Sequence, residues 1–306
     1  MNLKKDIIAL REFEPKDFVR LINRAIELKT KGSKAASREL LKGKTLGLVF
    51  DKPSTRTRVS FEVAMIQLGG LVTFLSANDT QLIRGEPIAD TARVLSRYLD
   101  GLVVRTYSQE LLEALAFHSS IPVINALTDR YHPCQVLSDL QTIQEKKGGL
   151  KDLKIVWVGD GNNVCNSWIE AASVLGLCLV ISTPVGYAPN EEIYQKAVSE
   201  GKGDIQFISD PHKATKDADV IYTDVWASMG QESEQSRRRK VFQGYQVNSR
   251  MVSNAKKDVL IMHCLPAHRG EEITDEVLEG TNSIVWDQAE NKLHMHKAIL
   301  EELMVS

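Results

Sequence analysis

The stretch Asp51-Lys52-Pro53-Ser54-Thr55-Arg56-Thr57-Arg58 interleaves three hydroxyls with guanidinium groups. It follows the apolar run Thr45 to Phe50 and precedes a pattern in which Phe61, Ala64, Met65 and Leu68 share one helical face. A strand that turns into a helix offers the unpaired N–H groups of the helix start, with their partial positive charge, to whatever occupies the turn. Ser54, Thr55 and Thr57 add hydroxyl donors, and Arg56 or Arg58 can close a bidentate clamp. The chemistry is anion binding. A capped helix with solvated arginines is the plainer account and would win for a lone Ser-Thr pair; the interleaving favours the anion site.

Further polar groups stand just after other apolar runs. Arg105 ends the run Gly101 to Thr106, and His132-Pro133-Cys134-Gln135 follows Ile121 to Ala126. Gly159-Asp160-Gly161-Asn162-Asn163-Val164 follows Leu153 to Gly159 and has the outline of a dinucleotide fingerprint, but Val164 stands where the third glycine should allow close helix-strand approach. A nicotinamide cofactor is therefore not expected. Asn163 at a helix start can instead bind a carboxylate, with one of Asn162 and Asn163 serving only as a cap. Asp224 at the end of another run offers a partner for a cation. Consecutive strand residues face opposite ways, so His263 and Cys264 are not expected to share a metal ion, and neither metal nor other cofactor is anticipated.

These groups need a scaffold that brings strand ends together. The runs Thr45–Phe50, Leu71–Leu75, Gly101–Thr106 and Ile121–Ala126 alternate with helical patterns, which predicts an α/β fold with a parallel β-sheet flanked by helices. After the polar stretch Gln144 to Lys151 the rhythm restarts with Leu153–Gly159, Cys178–Thr183, Ile205–Ile208, Val220–Val225, Val259–Cys264 and Ser283–Trp286. Two domains are expected, at residues 1–148 and 149–306, and ligands belong at the carboxyl ends of their strands. The basic run Arg237 to Lys240 reads as an exposed helix or loop.

The chain's 306 residues suffice for two cores, and 43% hydrophobic with 25% charged residues is a globular balance. With 38 basic against 40 acidic side chains the formal charge is −2, which gives no general attraction for nucleic acid or a membrane surface; the expected partners are small molecules. The four cysteines show no CxxC pairing, and neither a signal-like N-terminus nor about 18 uninterrupted apolar residues is found, so a cytoplasmic protein is expected.

Ser-Thr-Arg-Thr-Arg-Val-Ser-Phe-Glu at 54–62 resembles the carbamoyl-phosphate signature of the aspartate and ornithine carbamoyltransferases, and Arg105 and His132-Pro133-Cys134-Gln135 follow in family order. The resemblance runs from about Lys44 to the C-terminal helix, nearly the full chain. It implies that Ser54, Thr55, Arg56 and Thr57 hold the phosphate, that Arg105 and His132 donate to the carbonyl oxygen, and that Gln135 orients the carbamoyl NH2. Carbamoyl phosphate is a mixed anhydride, and fixed donors should stabilise the charge that amine attack places on its carbonyl oxygen and departing phosphate. Asp79 to Glu86 is similar to a loop that reaches a neighbouring subunit's site, with Gln81 touching phosphate, which implies a homotrimer. Asp224-Val225-Trp226-Ala227-Ser228-Met229-Gly230 and His263-Cys264-Leu265-Pro266 match the ornithine-using branch. There Asn163, Asp224, Ser228 and Met229 are implied to hold L-ornithine, Cys264 to lie beside the reacting amine, and Cys264 and Leu265 to border carbamoyl phosphate. In the last motif, Asp287 to His294, Lys292 stands where the family usually has an arginine that contacts carbamoyl phosphate; lysine keeps the charge and loses the planar fork. The final helix, at about 288–304, is implied to pack on the first domain.

Direct attack by the amine on the activated anhydride needs no covalent enzyme intermediate. Two rivals differ in kind: a carbamoyltransferase for another amine, such as putrescine or an N-acylated ornithine, and a family member without catalysis that binds or regulates. The intact Ser228-Met229-Gly230 opposes the first, and retention of all the polar groups named opposes the second.

Overall fold

The computed structural model describes residues 6–30, 39–76, 85–200, 202–227 and 232–305. The chain divides into two compact units: residues 1–141 with 290–306, and residues 142–289.

In the first unit α1 (Pro15–Thr30) precedes β1 (Thr45–Phe50), α2 (Thr55–Gln67), β2 (Leu71–Ser76), α3 (Ile88–Tyr98), β3 (Gly101–Arg105), α4 (Gln109–His118), β4 (Val123–Leu127) and α5 (Pro133–Lys147). The described strands form one parallel sheet in the order β2-β1-β3-β4. Helices on parallel crossovers cover both faces, so the inner strands are largely apolar, as in β3, where Gly101 to Val104 carry no polar side chain and all five residues, Arg105 included, are buried. Val49, Leu102, Val104 and Val123 of the sheet pack with Ala92, Leu99, Leu112 and Leu115 from the α3 and α4 region.

The second unit continues with β5 (Lys154–Val158), α6 (Asn163–Leu175), β6 (Cys178–Ser182), α7 (Glu191–Glu200), β7 (Asp204–Phe207), α8 (Pro211–Ala214), β8 (Val220–Thr223), α9 (Gln235–Phe242), α10 (Ser249–Val252), β9 (Leu260–His263), α11 (Asp275–Leu278) and α12 (Val285–Met304), the last of which returns to the first unit from residue 290. Its sheet is parallel, in the order β7-β6-β5-β8-β9. Val156, Val158, Ile221 and Ile261 pack with Met251, Val277 and Val285. Elsewhere in this core Trp157 stacks on Tyr222 at 5.1 Å, with Trp168 edge-on to Tyr222 at 5.9 Å.

In each sheet the chain lays strands to one side of its first strand and then crosses to the other: β2 and β3 flank β1, and β6 and β8 flank β5. Connections leave in opposite directions at such a point, which opens a crevice at the strands' carboxyl ends. The turns there are 51–54 and 106 onward in the first unit, and 159–162 and 224–227 in the second.

Most expected strands are present within one or two residues, and β1 matches at both ends. Ser283–Trp286 is a correction: Ser283 makes a single parallel bridge to Ile261, and α12 begins at Val285. The apolar pair Ile284-Val285 fills the core from a helix start, a use that a short run cannot distinguish from a strand. The basic run 237–240 lies on α9, but Arg238 is buried. Helix α5 extends through Lys147, into the polar stretch that begins at Gln144. Among the described residues no helix is long and apolar enough to cross a membrane.

Gly161 sits where the 159–162 turn meets another backbone segment: it donates its N–H to the Tyr187 carbonyl at 2.9 Å, and a Cβ there would lie 2.2 Å from the Pro189 nitrogen. The obstruction is main chain, which cannot rotate away. Gly161→Ala is expected to destabilise the protein by about 1–3 kcal/mol, read by urea unfolding; an unchanged midpoint would contradict the contact.

Candidate active site

In the first unit the β1–α2 turn places Ser54 at the N-cap of α2 in extended backbone (φ −160°), without a side-chain cap bond, and no acidic residue occupies the first helical turn. The helix start therefore keeps its positive end. Ser54 is half-buried, Thr55 and Arg56 are exposed, and Thr57 is buried. Arg58 is engaged elsewhere, bonding Glu62 at 2.8 Å and lying 3.6 Å over the Phe74 ring. Of the two arginines proposed for a clamp, this leaves Arg56.

Lys292 comes from α12 and is buried; its Nζ donates to Thr57 Oγ1 at 3.3 Å and to Gln135 Oε1 at 3.0 Å. Gln135 Nε2 in turn donates to Asp139 at 2.8 Å. Arg105 ends β3 and is buried, and its carbonyl accepts the Asp51 N–H at 2.8 Å, lacing β3 to the β1–α2 turn. His132 lies at the start of α5, also buried; burial first, then Lys292, Arg105 and His296, hold its pKa well below the ordinary imidazole value. A neutral ring retains one N–H to donate. Burial does most to keep His132 neutral, and the neighbouring cations Lys292 and Arg105 that add to it are those an anion would meet. Cys134 is not poised for chemistry: its thiol faces the Asn125 carbonyl at 3.3 Å, and burial pushes its pKa up to about 12. Gln81 lies outside the described residues.

In the second unit Asn162 caps α6, its Oδ1 accepting from the Val164 and Cys165 N–H groups at 2.9 and 3.2 Å, while its Nδ2 donates to Asp224 Oδ2 at 2.7 Å. The cap is thus Asn162, and Asn163 opens the helix beside it. Asp224 follows β8 and is buried; its Oδ1 accepts the Val225 N–H at 2.9 Å and the Cys264 thiol at 2.9 Å. Ser228 and Met229 lie outside the described residues.

The expectation that His263 and Cys264 diverge needs correction, because β9 ends at His263 and strand alternation does not reach Cys264. Possible ligand atoms of Asp224, His263 and Cys264 lie within 4.8 Å of one another. Both His263 ring nitrogens are nevertheless engaged: Nδ1 accepts the Leu265 N–H at 2.8 Å, so Nε2 carries the proton it shares with Glu272 at 3.0 Å. Leu265, at φ +58°, holds a backbone conformation rare for a branched side chain, and this bond helps retain it.

Several contributors escaped the sequence reading. Lys52 is buried, pairs with Asp129 and lies 3.8 Å over the Tyr107 ring, joining the turns after β1, β3 and β4. Its place two residues before the signature was the available signal. Glu272 and Arg238 carry no such signal, since each is one charge in a polar stretch. His296 is buried and stacks on Phe61 at 3.6 Å, one turn beyond Lys292 on α12; neither ring nitrogen has a partner among the described residues.

Two family models match the chain: aspartate/ornithine carbamoyltransferase, carbamoyl-P binding domain, over residues 5–145, and aspartate/ornithine carbamoyltransferase, Asp/Orn binding domain, over residues 151–303. A relative named ornithine carbamoyltransferase from Syntrophus aciditrophicus is 56% identical over 302 residues, covering 99% of this chain and 100% of its own. One from Pyrococcus furiosus, named ornithine carbamoyltransferase, anabolic, is 52% identical over 303 residues, covering 98% of this chain and 96% of its own. The solved structure of ornithine carbamoyltransferase from Pyrococcus furiosus superposes with a TM-score of 0.94 at 52% identity, covering 99% of this chain and 98% of that one.

The two buried imidazoles make stability depend on pH. Burial and Lys292 hold His296 well below the ordinary imidazole value of 6.5, and His132 is lowered likewise. Above that value neither state binds the proton; below it the unfolded chain takes protons that the folded protein refuses, so stability present above 6.5 falls as pH drops toward the folded pKa values. Each ring contributes a slope of up to about 1.4 kcal/mol per pH unit. Urea unfolding between about pH 6 and pH 5 should therefore show a shallower acid loss for His296→Leu than for the native protein, and equal slopes would contradict the buried neutral ring.

Proposed function

The chain belongs to the aspartate/ornithine carbamoyltransferase family, and from that premise we propose that this carbamoyltransferase moves the carbamoyl group of carbamoyl phosphate onto the δ-amine of L-ornithine, giving L-citrulline and phosphate. Residues 1–148 take carbamoyl phosphate and 149–306 take ornithine, with the C-terminal helix contributing Lys292 to the former. Ser54, Thr55, Arg56 and Thr57 receive the phosphate at the start of α2, joined by Gln81 and Lys292. Arg105 and neutral His132 donate to the carbonyl oxygen, where charge grows as the amine attacks. Gln135 orients the carbamoyl NH2, and Cys264 and Leu265 border the same group. Asn163 receives the α-carboxylate, Asp224 the α-ammonium, and Ser228 and Met229 complete the amino-acid contacts.

The reaction is direct. The δ-nitrogen lone pair forms the new C–N bond, the bond from carbon to the phosphate oxygen breaks with its electron pair leaving on phosphate, and the nitrogen sheds one proton. The observation that carries this reading is the Cys264 thiol donating to Asp224 at 2.9 Å. A thiol whose proton is committed to a carboxylate is suited to positioning the amine rather than to attacking carbon. The four cysteines described are all free, which supports a reducing cytoplasmic setting, and the anabolic relative supports a place in arginine biosynthesis, the route whose reaction the urea cycle shares. A homotrimer follows from the family resemblance, and exposed Val59 and Ile66 on α2 and Leu71 on the edge strand β2 support association as such, since such side chains favour cover by another subunit.

Purified protein given carbamoyl phosphate is expected to carbamoylate ornithine in preference to putrescine, aspartate and N-acetylornithine. Preference for another amine would overturn the acceptor, and silence with all four would overturn catalysis. Cys264→Ala is expected to keep measurable turnover, reduced by about 10–100-fold, whereas collapse to the uncatalysed background would indicate a covalent role.

A further inference from the structure

Two parallel cross-links lace the turns after β5 and β8. One is the Asn162 to Asp224 bond already described. The other is made by Arg238, the buried member of the basic run on α9. Its Nη1 donates to the Trp226 carbonyl at 2.7 Å and pairs with Asp160 Oδ1 at 3.1 Å, so one guanidinium nitrogen joins residue 160 of the first turn to residue 226 of the second. Its Nε pairs with Glu234 at 3.0 Å, and the group lies 4.8 Å from the centre of the Tyr187 ring. Arg238 and Asp160 are both buried.

We propose that Arg238 and Asp160 are positioning residues for the amino-acid substrate: by fixing the turn after β5 against the turn after β8 they set the spacing between Asn163 and Asp224. The inference rests on the assignment of those two residues to the α-carboxylate and α-ammonium. Those substrate charges are a fixed short distance apart, so a change in the spacing of the two turns weakens both contacts together. The carbamoyl-phosphate groups assigned to the first unit, Ser54 to Thr57, Arg105, His132, Gln135 and Lys292, lie on other turns and are spared.

Packing alone would not require this chemistry. An apolar side chain could fill the space of Arg238, and a buried ion pair is a poor source of net stability against such a replacement. What the pair adds is registry: a planar guanidinium fixes the directions of several acceptors at once, which lysine cannot do. The Asp160 carboxyl also titrates in a useful range. Burial raises the Asp160 pKa to about 6, against the opposing pull of Arg238, and Asp224 and Glu234 push it the same way as burial; Cys165 of α6 is the further titratable neighbour. Protonation of Asp160 removes its charge attraction for Arg238 and so slackens the second cross-link.

The test is steady-state kinetics of Arg238→Met, Arg238→Lys and Asp160→Asn, with ornithine affinity also read by calorimetry. Arg238→Met is expected to raise KM for ornithine about tenfold or more while KM for carbamoyl phosphate stays within about twofold, and Arg238→Lys should fall between. Norvaline, which is ornithine without its terminal amine, isolates the α-groups from titration of the nucleophile. Its competitive inhibition constant should rise as pH falls through about 6 in the native protein and stay flat in Asp160→Asn, which keeps an acceptor oxygen but cannot titrate. Equal loss in both KM values, or lowered thermal stability with unchanged KM values, would reduce the pair to a structural role and overturn the inference. Should Arg238→Met fail to fold, Arg238→Lys and the norvaline profile decide it. If the native protein prefers a different amine, ornithine as acceptor falls on that result alone, and the KM split measured with the preferred amine still judges Arg238.

Discussion

The reversal of strand order beside β1 and β5 is the constraint on which the rest of this molecule depends. Parallel strands all point their carboxyl ends to one edge, so every connection leaves from that edge, and where successive connections diverge the backbone cannot cover what lies beneath. Ser54 to Thr57 and Arg105 stand at one such place, and Asn162, Asn163 and Asp224 at the other. The two units thus repeat one geometric device and furnish it with different side chains.

The furnishing differs in the sign of its charge. In the first unit Arg56, Arg105 and Lys292 accompany a helix start with no acidic residue in its first turn. In the second a buried carboxylate, Asp224, is held by an amide, a backbone N–H and a thiol. Arg105, Lys292 and Asp224 are buried, and a charge removed from water depends on its few neighbours. The neutral His132 ring belongs to the same arrangement: it keeps an N–H donor without adding positive charge to the repulsion among its neighbours.

Much of the scaffold was legible because buried parallel strands are continuous apolar runs with polar ends, and β1 could be read to the residue. The reading failed where that rule has a competitor. Ser283 to Trp286 has a strand's composition but lies at the entrance to a long helix. Contiguous motifs likewise drew attention to Ser54 to Thr57, Arg105, His132 and Asp224, whereas Arg238, Glu272 and His296 are tied to partners outside any motif of their own, such as Trp226, His263 and Phe61. No local pattern encodes those pairings; they exist only after the chain has turned back. The same applies to Cys264, whose approach to Asp224 depends on the strand ending one residue earlier.

Residues 290–306 complete the first unit although they follow the whole of the second in the chain. They are not a loose appendage: Met295, Ile299 and Leu300 are buried, Arg24 of α1 bonds both carboxylate oxygens of Glu301 at 2.9 Å, and the Met304 sulfur lies 3.1 Å from where a Cβ on Gly101 would stand. During synthesis the unit begun first is therefore finished last. The second unit, made from one uninterrupted stretch, can mature while its elder still lacks part of its interior, and the nascent first unit must wait with an open apolar face until α12 emerges.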